Sequence, residues 1–209
     1  MSAAEQIVAP DPERFTVPLP PAHTEAWYAM REPYLGASDV ACLFGADPYR
    51  SIESLIAEKR TGDRGDETRK MALGKRMEEA IASCFAEDEK IMLAMPEVAY
   101  GRGRLLANPD RLIVGSTSDH VEVKRMVGKV VDRPTSGHWM QAQAQMACVG
   151  TERCWLVVED AEDIKSFPIP RDDVFIAEID LAVANFWEML DDGLDPVAVR
   201  RNAREERLQ

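Results

Sequence analysis

Three residues of the chain combine charged side chains with a spacing that would bring them together. Asp110 lies at a predicted turn beside a strand, and Glu122 and Lys124 lie two positions apart on the next predicted strand. Residues two apart on a strand point to the same face, so Val121 and Val123 point to the opposite one, as a core requires. Burying a charged side chain is costly unless it is paired or binds a metal. The pattern therefore predicts a functional site on this strand.

Phosphodiester hydrolysis is a chemistry that these residue types could perform. It needs a hard divalent cation, and carboxylate oxygens from two adjacent strands would form half of the coordination shell of Mg²⁺. Waters, phosphate oxygens and the Val123 carbonyl would complete the shell. Lys124 beside the metal could orient the attacking water or offset developing charge. On these residues alone, a surface strand that carries an ion pair is an equally good interpretation.

Two predicted helices offer further polar side chains. Glu78 borders the apolar stripe of a strong helix predicted from about residue 70 to 87, which makes it a candidate third acid, with Glu79 as its solvent-facing neighbour. Gln141 and Gln145 lie one helical turn apart and share a face. An amide can accept a hydrogen bond from a metal-bound water and donate one to phosphate.

These side chains must be positioned by a layered α/β (α+β) fold with a central mixed sheet. The periodicity predicts short helices before residue 62, with Ser38 and Ser51 as N-caps. It then predicts the helix of residues 70–87, an antiparallel meander within residues 96–125, a helix at 137–149, two strands within 154–169 and a helix at 172–190. We predict an extended N-terminal arm at 1–22, a nuclease-type domain at 23–192 and a charged tail at 193–209.

Composition restricts the classes of protein that remain. The 209 residues are 45% hydrophobic, and neither a secretory signal nor a membrane span is expected. A net charge of −12 counts against nucleic-acid binding unless the basic residues are concentrated in one groove. Seven Lys or Arg residues lie between positions 59 and 76, although a solvated helix face explains that run equally well. The four cysteines form no CxxC pair, which favours reduced core thiols.

The order and spacing of six sequence blocks resemble those of the YqaJ-type viral recombinases, the phage lambda exonuclease family within the PD-(D/E)xK nuclease superfamily. The blocks are Trp27-x-x-x-Arg31 with Gly36-Ala37-Ser38-Asp39, Gly45-x-x-Pro48-Tyr49-x-Ser51 with Lys59-x-Thr61-Gly62, Gly74-x-x-x-Glu78, Asn108-Pro109-Asp110, Glu122-Val123-Lys124, and Gln141-x-Gln143-x-Gln145-Met146. Six ordered blocks are far more specific than a Glu-x-Lys core alone.

The resemblance implies a catalytic role for the matching residues around the predicted strand. Asp110 and Glu122, with the Val123 carbonyl, would be metal ligands. Glu78 would be the helical acid that helps to hold the metals, and Lys124 the catalytic lysine. The implied cofactor is Mg²⁺, with Mn²⁺ as a substitute.

The resemblance also implies a substrate and partners. Gln141 would assist the attacking water, and Arg31 and Ser38 would bind the phosphate at a recessed 5′ end. Similar proteins digest linear duplex DNA from its ends in the 5′ to 3′ direction, and some form ring-like trimers that work beside a single-strand annealing protein. A cytoplasmic location in a bacterial host, with a phage or prophage gene, is the corresponding expectation.

Two other functions are compatible with the same residues. An endonuclease of restriction or repair type would share the fold and the metal site. A DNA-binding module without activity would have lost an acid or the lysine, and none is missing here. His120 precedes the Glu-x-Lys pair and could support the metal ligands from behind, but a partly exposed histidine without such a role is the interpretation that we favour.

Overall fold

The computed structural model describes residues 13–22, 24–63 and 68–193. Its α-helices are α1 (Glu25–Arg31), α2 (Val40–Leu43), α3 (Ile52–Thr61), α4 (Arg69–Glu89), α5 (Ser136–Val149) and α6 (Asp173–Asp191), and a 3₁₀ helix, Ala37–Asp39, precedes α2. Its strands are β1 (Arg14–Pro18), β2 (Leu35–Gly36), β3 (Leu93–Ala94), β4 (Val98–Arg102), β5 (Leu105–Ala107), β6 (Arg111–Ile113), β7 (Asp119–Arg125), β8 (Arg153–Glu159) and β9 (Ile164–Pro170). The predicted α/β architecture is confirmed.

The larger sheet has five strands in the order β3-β6-β7-β8-β9, and it is mixed because β7 and β8 run parallel. Its two faces bury separate cores. Val121 and Val123 of β7 pack with Phe85 of α4, while Leu156 and Val158 of β8 pack on the face that α5 covers. Side chains that alternate along β7 therefore face α4 and α5 in turn. Glu122 faces α5, since both of its helix partners lie there.

The smaller sheet has four strands in the order β1-β4-β5-β2. Its core residues Leu35 and Leu105 pack with α6, whose buried side chains recur at helical spacing: Ile176, Ile179, Val183, Phe186 and Trp187. The predicted single meander within residues 96–125 was wrong in one respect. The strands β4 and β5 belong to this sheet, whereas β6 and β7 belong to the larger one. Pro109 lies at the break, because it has no N–H group to continue a ladder.

Of the two predicted N-caps, Ser51 is confirmed and Ser38 is not. The Ser51 hydroxyl accepts a hydrogen bond from Ser54 N (3.3 Å), and Gly62 ends α3 with a φ of 73°, as predicted. Ser38 caps no helix: it is exposed within the 3₁₀ helix. Asp39 is the residue that reaches back, and its Oδ2 accepts from Gly36 N at 2.8 Å.

The predicted boundaries fall partly within the described chain. Residues 14–18 of the predicted N-terminal arm form β1, which pairs antiparallel with β4. Residues 1–12, and residues 194–209 of the predicted tail, lie outside the described part of the chain. Among the helices that the structure describes, none has the combination of length and apolar character that would span a bilayer.

Candidate active site

Glu122 is a buried carboxylate held by three donors, and its side chain is 4% exposed. Its Oε1 accepts from Lys124 Nζ at 2.6 Å and from the Gln141 amide at 2.5 Å, and its Oε2 accepts from the Gln145 amide at 2.6 Å. Burial opposes its ionisation, but the Lys124 ammonium and the Gln145 hydrogen bond hold the pKa of Glu122 below its usual value. Glu122 therefore contacts both Lys124 and Gln141 directly, and all three are predicted site residues.

Asp110 lies beside Glu122 in a different electrostatic environment. It precedes β6, and its Oδ2 accepts from the backbone N–H of Val123 at 2.7 Å. Burial, followed by repulsion from Glu122 and Glu78, raises the pKa of Asp110 well above its usual value, against the attraction of Lys124. A divalent cation held by Asp110 and Glu122 would offset the repulsion between these two carboxylates.

The donor set fits a hard cation such as Mg²⁺. Asp110 and Glu122 offer carboxylate oxygens, and Val123 lines the same cleft. Within residues 13–22, 24–63 and 68–193, no three Asp, Glu, His or Cys side chains are grouped as metal ligands. The predicted ligands are Asp110, Glu122 and the Val123 carbonyl, with Glu78 as the further acid that the resemblance implies, and waters and phosphate oxygens would complete the shell.

Lys124 stays charged in this environment. Burial favours the neutral amine, but Glu122 and Asp110 outweigh it and raise the pKa of Lys124 above its usual value. A lysine that keeps its proton acts through its positive charge and its hydrogen bonds, not as a base.

A chain of hydrogen bonds behind Glu122 contains two residues whose role the sequence did not establish. His120 is fully buried, with Nδ1 2.7 Å from Thr151 Oγ1 and Nε2 3.2 Å from Gln145 Oε1. Burial lowers its pKa to about 4, so the ring is neutral. A neutral ring that accepts from the Thr151 hydroxyl donates its Nε2–H to Gln145, whose amide then donates to Glu122.

The interpretation of His120 as a partly exposed histidine was therefore wrong. The signal in the sequence was its position, because residues 120 and 122 share a face of β7 and meet the face of α5 that bears Gln141 and Gln145. Thr151 carried no such signal, since it follows the αL residue that ends α5.

Glu78 lies at the same cleft, but its carboxylate is engaged. Glu78 Oε1 forms an ion pair with Arg111 Nη1 at 2.7 Å, and Arg111 Nη2 is 2.7 Å from Glu79 Oε2. Glu79 is 76% exposed, which confirms it as the solvent-facing neighbour. Arg111 was absent from the predicted site, although it directly follows Asp110 in the sequence.

The three acids line a cleft of about 710 Å³ that also contains apolar and basic residues. Five Lys or Arg residues line it together with the three acids: Lys70, Lys75, Lys124, Arg125 and Lys129. Lys70 and Lys75 come from the basic run at positions 59–76. Basic residues therefore outnumber acidic ones in this cleft, although the whole chain has a net charge of −12.

Arg31 and Ser38 lie next to one another at a second place. A Cβ atom added to Gly36 would be 2.8 Å from Arg31 Nη2 and 3.5 Å from Ser38 Oγ, so both side chains reach Gly36. Neither residue lines the cleft of Asp110 and Glu122. The Arg31 guanidinium also lies 4.6 Å from the centre of the Trp27 ring, a cation–π distance.

Comparison with known proteins identifies the family of the chain. The YqaJ-like viral recombinase domain matches residues 26–152, more than half of the chain. No curated protein matches the chain.

Several solved structures share the fold. An alkaline exonuclease (LHK-Exo) from Laribacter hongkongensis is 22% identical, with a TM-score of 0.65 over 87% of this chain and 99% of that one. A phage-related exonuclease from Haemophilus somnus 129PT is 12% identical, with a TM-score of 0.64 over 79% of this chain and 96% of that one. The PD-(D/E)xK-type fold predicted from the sequence is thereby confirmed, and the chain belongs to the family of the YqaJ-like viral recombinase domain.

Proposed function

We propose that the protein is a divalent-metal-dependent deoxyribonuclease that digests linear duplex DNA from its ends in the 5′ to 3′ direction. The observation that carries this proposal is that Asp110, Glu122 and Lys124 line one cleft, with Lys124 hydrogen-bonded to Glu122 and both close enough to Asp110 to act on it electrostatically. Membership in the YqaJ-like family and a fold shared with exonucleases support it.

Asp110, Glu122 and the Val123 carbonyl would hold Mg²⁺, with Mn²⁺ as a substitute, and Glu78 would be the helical acid that helps to hold the metal. When bound, the cation polarises the phosphate and makes a bound water more acidic. Lys124 places its ammonium where negative charge develops on the phosphate oxygens. The Gln141 amide, on the same oxygen of Glu122, is placed to orient the attacking water. The attacking water loses a proton to solvent as it bonds to phosphorus, and the bond from phosphorus to the leaving 3′ oxygen breaks as that oxygen takes up a proton from a solvent water.

Arg31 and Ser38 would recognise the 5′-phosphate, since a guanidinium and a hydroxyl both donate to phosphate oxygens. The basic cleft lining would contact the backbone of the strand being digested. One solved relative was obtained in complex with dAMP. We further propose, from the family resemblance, a homotrimer that works with a single-strand annealing protein in the cytoplasm of a bacterial host, encoded by a phage or prophage.

The test is a time course on linear duplex labelled at either the 5′ or the 3′ end, beside closed circular duplex, with Mg²⁺ or with EDTA. We expect metal-dependent loss of linear DNA, early release of the 5′ label and intact circles. Cutting of circles would replace the exonuclease with an endonuclease of the same fold, and no cleavage with any metal would leave a binding module.

A matched pair of variants assigns the activity to the site. Asp110→Asn removes the carboxylate at the cleft, and Asp119→Asn makes the same change at a residue that pairs with Arg153 and two serines instead. Only Asp110→Asn should abolish digestion. Equal loss in both variants would point to a general effect on folding.

A further inference from the structure

The Gly36–Asp39 turn, together with Arg31, gathers three polar atoms around one point. A Cβ atom added to Gly36 would lie 2.8 Å from Arg31 Nη2, 3.2 Å from Asp39 Oδ2 and 3.5 Å from Ser38 Oγ. Arg31 and Ser38 can donate to a phosphate oxygen, but the carboxylate of Asp39 repels one. A phosphate site at this turn therefore requires that the charge of Asp39 be compensated.

Asp39 is buried, and both of its carboxylate oxygens have partners. Oδ2 accepts from the backbone N–H of Gly36 at 2.8 Å, and Oδ1 accepts from Arg50 Nη1 at 2.7 Å. The first bond holds the turn on which Ser38 lies, and the second supplies a positive charge. The side chains of Asp39 and Arg50 are only 12% and 28% exposed, so water screens this ion pair less than a surface pair.

Arg50 is held in place by two further contacts. Its Nη2 forms an ion pair with Glu58 of α3, and its backbone N–H donates to Asp47 Oδ1 at 3.1 Å. The same oxygen of Asp47 accepts from Tyr49 N at 2.8 Å, and Tyr49 lines the candidate active-site cleft. Arg50 therefore joins the turn of Ser38 to the segment that borders this cleft.

We propose that Arg50 is a positioning residue that sets the preference of the enzyme for a 5′-phosphate over a 5′-hydroxyl at the end of the duplex. Arg50 compensates the charge of Asp39, so that this carboxylate holds the turn at Gly36 without repelling the phosphate that Arg31 and Ser38 bind. The inference rests on the proposed role of Arg31 and Ser38 and deepens it. Arg50 acts through Asp39 and does not itself contact the phosphate.

The experiment compares two hairpin duplexes, each with one open end, that differ only in a 5′-phosphate or a 5′-hydroxyl at that end. Fluorescence anisotropy in EDTA, where no DNA is cut, gives the ratio of the two dissociation constants. Initial rates with Mg²⁺ give the corresponding ratio for digestion. The variants are Arg50→Met, Arg50→Lys and the double variant Arg50→Met/Asp39→Asn. The matched control is Arg102→Met, which breaks a similarly shielded ion pair with Asp180 between β4 and α6.

The wild type should bind the phosphorylated end more tightly and digest it faster. Arg50→Met should lower this preference about 10-fold or more, because Asp39 is left uncompensated, and binding of the hydroxyl end should change little. Arg50→Lys keeps a cation and should retain part of the preference. Adding Asp39→Asn to Arg50→Met removes the repelling charge and should restore part of it, and Arg102→Met should keep the wild-type ratio.

Circular dichroism checks folding, and Arg50→Gln, which is neutral but can still donate to Asp39, replaces Arg50→Met if that variant does not fold. An unchanged ratio in the folded neutral variant, or an equal loss on both ends, would overturn the role of Arg50 and leave the phosphate site standing. A wild type that digests both ends equally well would overturn this inference and the phosphate site but not the nuclease. A wild type that digests neither would overturn the proposed function as well.

Discussion

Two aspartates at strand ends of the larger sheet, Asp110 before β6 and Asp160 after β8, show how differently the fold can treat one side chain. Asp160 accepts four hydrogen bonds, from Val131 N, Glu162 N, Asp163 N and Lys165 Nζ, all between 2.7 and 2.9 Å. The bond from Lys165, followed by those backbone donors, lowers the pKa of Asp160. Its charge is fully compensated within the protein.

Asp110 has one backbone donor, Val123 N, and burial, followed by repulsion from Glu122 and Glu78, raises its pKa. The attraction of Lys124 offsets these effects only in part. Both aspartates hold the same stretch of chain, since Asp110 fixes β7 and Asp160 fixes Val131 in the loop that follows it. The difference teaches that a satisfied carboxylate serves the fold, whereas a carboxylate with a raised pKa in a cleft is a candidate functional residue.

The largest expected effect separates the two aspartates by activity. Asp110→Asn should lower the rate of duplex digestion by about 10³-fold or more, because a metal ligand is lost. Asp160→Asn should retain most of the activity at a temperature where it is folded. Initial rates on linear duplex with Mg²⁺ measure both, and comparable losses would mean that the compensated and uncompensated carboxylates do not differ in role.

The Asp110→Asn variant, although inactive, should be at least as stable as the wild type in the absence of metal. Because its folded pKa is raised, its ionisation costs stability as the pH rises through that pKa, and Asp110→Asn lacks this cost. In EDTA at neutral pH the variant should melt no lower than the wild type. Mg²⁺ at about 100 times its Kd should stabilise the wild type by about 2.7 kcal/mol and leave the variant unchanged. A drop in melting temperature in EDTA would contradict this account.

The next effect concerns the chain of hydrogen bonds that orients Glu122. His120→Leu leaves Gln145 Oε1 without its donor, so the amide is free to turn away from Glu122, and Mn²⁺ affinity should fall about 10-fold or more. Thr151→Val removes a hydroxyl on the far side of the imidazole and should cost less. Calorimetric titration with Mn²⁺ compares them, and unchanged affinity in folded His120→Leu would show that Glu122 needs no such support.

The sequence could predict the features that depend on local spacing, but not those that depend on contacts between distant parts of the chain. Local patterns sufficed for the helices, for β7 and for the pairing of Glu122 with Lys124, because spacing along one element decides which side chains share a face. The sheet assignment of β4 and β5 was missed, since strand neighbours are chosen by long-range pairing. The contact between Arg111 and Glu78 joins residues 33 positions apart and follows only from the packing of α4 on β6.

Asp160 carries a pH dependence of its own. Its folded pKa is lowered, so its contribution to stability is present above the unfolded pKa of about 3.9 and is lost as the pH falls toward the folded value. Asp160→Asn should therefore melt below the wild type at neutral pH, and the gap should narrow below about pH 4. Melting curves across this range test it, and a gap that widens in acid would assign the stabilisation to another group.

The smallest expected effect concerns the loop between β7 and α5, which Asp160 holds and which carries Lys129 to the cleft. Ala161 N donates to Lys129 O, and Val131 N donates to Asp160, so the β8–β9 turn orders the loop that brings Lys129 to the cleft. Lys129→Ala should weaken DNA binding modestly and reduce the slope of log affinity against log salt by about 1. Lys90→Asn removes a charge at the opposite end of α4 from the cleft lysines and is the matched control, since Asn tolerates the φ of 55° there.

Asp160→Asn should reproduce part of the Lys129→Ala change in slope if loop order matters. A normal slope in both variants would confine the function of Asp160 to the fold.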